Sequence, residues 1–350
     1  IYFSAYTISL GYEIWETDGT TAGTQLLKDI NPGNSSSNIE NLTATPNFLL
    51  FTALDSTQNY RTLWKSDGTG LNTVELKDVN MNYSNSGKFT EVNGKLFFAA
   101  GYESLNGTEL WSTDGTLANT LLFKDIAHKF DGMTDFYDSA ELGNKLIFNG
   151  NNGLGKEPFI TDGTVVGTHL IKDIFPGEGS AIFSSDGFRP ACYTKAGNNV
   201  YFKAYSAENG VELWKTDGTE ANTSMVKDIN VGTGNSITEY PLFMSFNNIF
   251  YFKANDGIHG EELWRSDGTD IGTYMLKDIN PGSAHAFDGQ SNVYYNSYSA
   301  LNENCFAILN GYLYFAANDG YDNSIWRTDG TQSGTVKIII IPSSGIYDNR

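Results

Sequence analysis

The phrase ELWRSDGTDIGTYMLKDINPG, from Glu262 to Gly282, is one of seven versions of the same text. Trp15, Trp64, Trp111, Trp214, Trp264 and Trp326 mark six copies, and Phe159 marks another in EPFITDGTVVGTHLIKDIFPG. Successive markers lie 49, 47, 48, 55, 50 and 62 residues apart, and all six tryptophans belong to the repeat. Behind the marker, Asp-Gly-Thr is intact seven times, starting at Asp18, Asp67, Asp114, Asp162, Asp217, Asp267 and Asp329. A Lys-Asp pair follows in six copies: Lys28-Asp29, Lys77-Asp78, Lys124-Asp125, Lys172-Asp173, Lys227-Asp228 and Lys277-Asp278. A period of about 50 residues that fills a chain restricts it to a solenoid, a propeller or an array, because one such unit cannot bury its own apolar faces.

The unit Lys88 to Ile126 shows what is repeated. Its first two apolar runs, KFTEV and KLFFAA, meet at Asn93-Gly94, a two-residue hairpin signal because both positions tolerate positive φ. TELWST and TLLFKDI follow, separated by the Asp114-Gly115 turn. Aromatic and β-branched residues dominate these runs, and no stretch carries a capped helical period. Each unit therefore reads as a four-stranded antiparallel meander, a to d.

Seven such units predict an all-β, seven-bladed β-propeller, one domain spanning residues 1–350. Ile1 opens directly at strand b, so the first blade lacks strand a. The tail PSSGIYDNR, read on into IYFSA, aligns with FTEVNGKLFFAA, so a C-terminal strand is expected to complete the first blade and close the ring. The marker aromatics are expected between neighbouring blades.

Composition narrows the partners. With 41 acidic against 22 basic residues the net charge is −19, and no Lys/Arg cluster suits phosphate, which disfavours nucleic acid and anionic membrane. No apolar run approaches the roughly 20 residues of a membrane helix, so no membrane insertion is expected. Cys192 and Cys305 sit in the same register of blades five and seven, one whole blade apart, and read as free thiols. Abundant Asn, Ser, Thr and Tyr, with Asn-x-Ser/Thr at Asn34, Asn41, Asn82, Asn106 and Asn222, lean toward an extracellular or cell-surface location.

The chain resembles the ELWxxDGT-repeat proteins, a group of secreted or surface proteins of bacteria. Glu-Leu-Trp is complete at Glu109, Glu212 and Glu262, relaxed at Glu13-Ile14-Trp15, Thr62-Leu63-Trp64 and Ser324-Ile325-Trp326, and most altered at Glu157-Pro158-Phe159. The resemblance implies a secreted β-repeat protein and transfers no catalytic residue.

A motif written seven times is a poor single active site. The Asp-Gly-Thr copies read as turns; calcium is the alternative ligand for their carboxylates, although no copy has acids at every second position. No other cofactor is expected. The Lys-Asp pairs read as solvated blade edges and inter-blade hydrogen bonds, since adjacent strand residues point to opposite faces. Blade seven departs from this with Ile338, Ile339, Ile340 and Ile341, an apolar edge that either docks a second subunit or is covered by neighbouring sequence.

The crossovers from d to a share one end of the blades with the b-to-c loops, and the longest are Phe175–Arg189 and Asn280–Ser299. The second collects His285, Asp288, Tyr294, Tyr295 and Tyr298, with His259 on the same predicted end. These residues are candidates to bind a sugar or a protein partner, or else pack the loop onto the scaffold. No nucleophile elbow, phosphate loop or zinc spacing occurs. The sequence thus leads to a non-enzymatic extracellular interaction or adhesion propeller, or a subunit of a surface assembly, with carbohydrate binding or a glycan-active enzyme as alternatives. Protein or glycan on the variable end and self-association through blade seven are the expected partners.

Overall fold

The computed structural model describes residues 1–57, 59–81, 89–102, 105–126, 135–182, 191–238, 241–287 and 306–340. The described strands form seven antiparallel sheets in chain order, the arrangement of a seven-bladed β-propeller. Six have four strands and the first has three, Tyr2–Thr7, Gly11–Glu16 and Gln25–Lys28, as its missing strand a requires. The C-terminal segment expected to supply that strand lies outside the described residues. Two compact units divide the chain: residues 1–139 with 143–170, and 140–142 with 171–350.

Blade six shows how sequence makes a blade. Phe243–Phe246, Ile249–Asn255, Glu261–Ser266 and Tyr274–Lys277 pair in that order. Strands b and c are in continuous register, with Phe252 opposite Trp264, whereas c and d slip by one residue between Leu263 and Trp264. Such a bulge increases local twist and re-aims the side chains beyond it. The same slip separates c from d in blades one, two, three, five and seven.

Each marker faces a Phe on strand b, at Phe3, Phe51, Phe98, Phe148, Phe202, Phe252 and Phe315. Five of the markers then pack on the preceding blade, as expected. Trp264 joins Tyr201, Leu213, Val226 and Ile229 of blade five, and Trp326 joins Tyr251, Leu263, Leu276 and Ile279 of blade six. In the first unit Trp64, Trp111 and Phe159 do the same against blades one, two and three. Phe159 therefore fills a tryptophan position with a smaller ring and the same partners.

The Asn93-Gly94 hairpin has φ of 51° and 78°, the left-handed pair expected for it. In all seven Asp-Gly-Thr turns the Asp Oδ1 accepts from the Thr amide and hydroxyl, as Asp267 does from Thr269 at 2.9 and 2.6 Å. Those bonds, led by the Thr hydroxyl, hold the Asp267 carboxyl below the usual range. A β-carbon on Gly272 would fall 2.0 Å from Asp267 Oδ1, so in this blade the carboxylate occupies the space a side chain would take. Blades two, three and five carry Asn72, Asn119 and Asn222 instead, and each donates to Oδ2 of its Asp.

Candidate functional site

Crossovers and b-to-c loops meet at one end of the blades, where the chemistry-bearing side chains gather. The element that holds this end together is the Glu of Glu-Leu-Trp. Glu262 is fully buried and accepts the amides of Ile279 at 2.7 Å and Asn280 at 3.0 Å. Glu212 does the same with Ile229 and Asn230 and adds the Ser236 hydroxyl at 2.6 Å; Glu13 takes Ile30 and both donors of Ser37. Glu109 takes Ile126. The donor isoleucine lies 17 residues beyond the Glu in each of these four blades. Sequence reasoning had no role for this Glu, although its constant distance from the Lys-Asp-Ile triplet was visible.

Burial outweighs those donors electrostatically. It pushes the Glu262 carboxyl up to about 8 and Glu212 to about 7, against the lowering effect of the amides. Unfolded, such a group titrates near 4.5, so between 4.5 and about 8 the native state holds a proton that the unfolded chain has released. Stability is then full below 4.5 and falls as pH rises through 8. The urea midpoint is expected to drop between pH 5 and 9, and to drop less in Glu212→Gln/Glu262→Gln. Glu262→Ala strands two buried amides and is expected to cost about 2–4 kcal/mol.

The Lys-Asp pairs separate as the strand geometry requires. Lys28, Lys124, Lys227 and Lys277 each donate to backbone carbonyls in or beside the next blade's Asp-Gly-Thr turn, at Gly70, Val165, Asp270 and Thr335. A second cation, one residue after the marker, reaches the turn glycine itself: Lys65 to Gly115, Lys215 to Gly268 and Arg265 to Gly330, at 2.6–2.7 Å. These are inter-blade ties, and the second set was not foreseen.

Blade six carries the densest polar cluster. Lys253 and Glu261 form a buried ion pair at 3.0 Å, and Thr238 from the preceding crossover donates its hydroxyl to Glu261 at 2.7 Å. Lys203 of blade five donates to the Thr238 carbonyl. His285 belongs here: its Nδ1 accepts the Glu261 amide at 3.3 Å. His259 instead bonds Asp256 at 2.7 Å within its own loop, where Asp256 Oδ1 also accepts the Ile258 and His259 amides. The Asp256 partnership raises the His259 pKa.

The predicted ligand set is thus described only in part. His259 and His285 are each committed to local bonds, while Asp288, Tyr294, Tyr295 and Tyr298 lie outside the described residues. So does Ile341; Ile338, Ile339 and Ile340 lie on strand d of blade seven and are 47%, 59% and 49% exposed. Opposite Ile340 stands Ser324, so blade seven has lost the buried Glu and its Asp together. Cys192 is buried, and Cys305 is outside the described residues. Among the described residues no three His, Cys, Asp or Glu gather closely enough to hold a metal ion, and no helix is long and apolar enough to cross a membrane.

No family model and no curated protein matches the chain. Among solved structures it is similar to one from a study of two prolyl endopeptidases, at 10% identity and a TM-score of 0.42, covering 88% of this chain and 43% of that one. A puromycin hydrolase matches at 9% identity and 0.42, covering 97% and 53%. TolB from Acinetobacter baumannii matches at 13% and 0.35, covering 76% and 61%. The chain spans roughly half the length of these proteins, and the likeness is one of fold alone. Two of them are named as enzymes and none as an adhesin or a lectin, so the adhesion, surface-assembly and carbohydrate readings drawn from the sequence are withdrawn.

Proposed function

We propose that this chain is a non-catalytic propeller module whose titratable groups serve architecture rather than chemistry. One observation carries the reading. At the crossover end, where a catalytic constellation would be expected, the Glu carboxylates are filled by backbone amides in blade after blade. A carboxyl that is fully buried and bonded to two amides, as Glu262 is, has no route to a substrate proton.

A second reading rests on Asp256 and His259. A carboxylate on Nδ1 orients an imidazole and leaves Nε2 for acid–base work, the arrangement of hydrolytic dyads. The same bonds also close an Asx turn, which needs no catalysis.

The test is a panel of aminoacyl and prolyl p-nitroanilides and aryl esters with the purified chain. No turnover above buffer is expected. Turnover abolished by His259→Gln would overturn the module reading in favour of the dyad.

A further inference from the structure

In blades one, five and six the crossover aims one side chain at the start of strand c and has it accept the same backbone N–H. Ser36 Oγ accepts from Tyr12 at 3.0 Å, Asn235 Oδ1 from Val211 at 2.9 Å, and His285 Nδ1 from Glu261 at 3.3 Å. The equivalence is confirmed from behind. Asn31, Asn230 and Asn280, each five residues earlier, donate their amide groups to the carbonyls of Ser36, Asn235 and His285.

Three chemistries therefore fill one position. A hydroxyl or a carboxamide oxygen accepts at any moderate pH, whereas an imidazole Nδ1 accepts only while it carries no proton. We propose that His285 is a pH-sensitive latch, holding the crossover of blade six to strand c when neutral and releasing it when protonated.

The surroundings define what release means. Protonation at Nδ1 turns the acceptor into a donor, and the Glu261 amide loses its partner. The new N–H faces Glu261 Oε2 at 3.8 Å, the oxygen that already holds Lys253 at 3.0 Å. The charged and titratable groups around His285 are thus Glu261 of strand c, Lys253 of strand b and, through the Thr238 carbonyl, Lys203 of blade five. The imidazole is 39% exposed, so protons reach it from solvent. With that bond gone, the stretch 279–286 keeps two other ties, Ile279 and Asn280 on Glu262 and the Ala286 amide on the Glu261 carbonyl. The latch lies at the head of the longest crossover in the chain.

Hydrogen exchange of the Glu261 amide, corrected for its intrinsic pH dependence, tests this in wild type, His285→Asn and His285→Ser. The two variants borrow the residues of blades five and one. Relative to both variants, protection in the wild type is expected to fall roughly threefold to tenfold from pH 8 to pH 5, the worth of one hydrogen bond. Wild-type protection that runs parallel to the variants would overturn the latch. Imidazole nitrogen shifts give a second readout needing no mutation. An unprotonated Nδ1 at pH 8 and two protonated nitrogens at pH 5 are expected, and an Nδ1–H tautomer at pH 8 would overturn it equally.

Discussion

Lys253→Met is expected to destabilise the protein by about 3–5 kcal/mol, measured by urea unfolding at pH 7. The substitution leaves Glu261 buried with a charge that, among the described residues, the Thr238 hydroxyl and the His285 ring approach. The cost comes from that orphaned carboxylate, because two charges taken from water are tolerated only while they face each other. Lys253→Met/Glu261→Val should recover most of the loss, since blade five already carries Val211 at the Glu261 position. If the double variant is as unstable as the single one, the ion pair is not the source of the effect.

Trp264→Ala is expected to cost a similar 3–5 kcal/mol, through the cavity left among Tyr201, Leu213, Val226, Ile229 and its own Phe252. Trp264→Phe should cost much less. Blade four shows why: Phe159 faces Phe148 at 6.0 Å between ring centroids and packs on Phe97 and Leu110 of blade three, as a tryptophan does elsewhere. Thermal melts of the two variants check both statements. A Phe variant as unstable as the Ala variant would show that the position needs the indole rather than the burial.

Much of the fold was legible because its signals are local. Asn93-Gly94 needs positive φ at two adjacent residues, and the structure has it. Asp267, Gly268 and Thr269 bond within a few residues of one another, so the turn can be read without knowing the fold. The site was less legible. Tyr294 and Tyr295 drew attention by composition, whereas the residues that organise the crossover end, Glu212 and Glu262, look in sequence like ordinary strand polar residues. His285 invited a binding role because it is a histidine in a long insertion. Its observed task is the one that serine and asparagine perform in two other blades.

The sequence by itself determined the period, the four-strand unit, the turn chemistry and the burial of the marker aromatics. Each of these follows from backbone preferences and hydrophobic alternation within about 50 residues. Only the tertiary structure decided where the polar groups go: Lys227 to the next blade's Asp270, Glu262 to amides 17 and 18 residues on, and Lys253 to Glu261. A hydrogen bond forms with whichever partner the packed fold places within about 3 Å, and inside a buried end that choice also sets each group's charge.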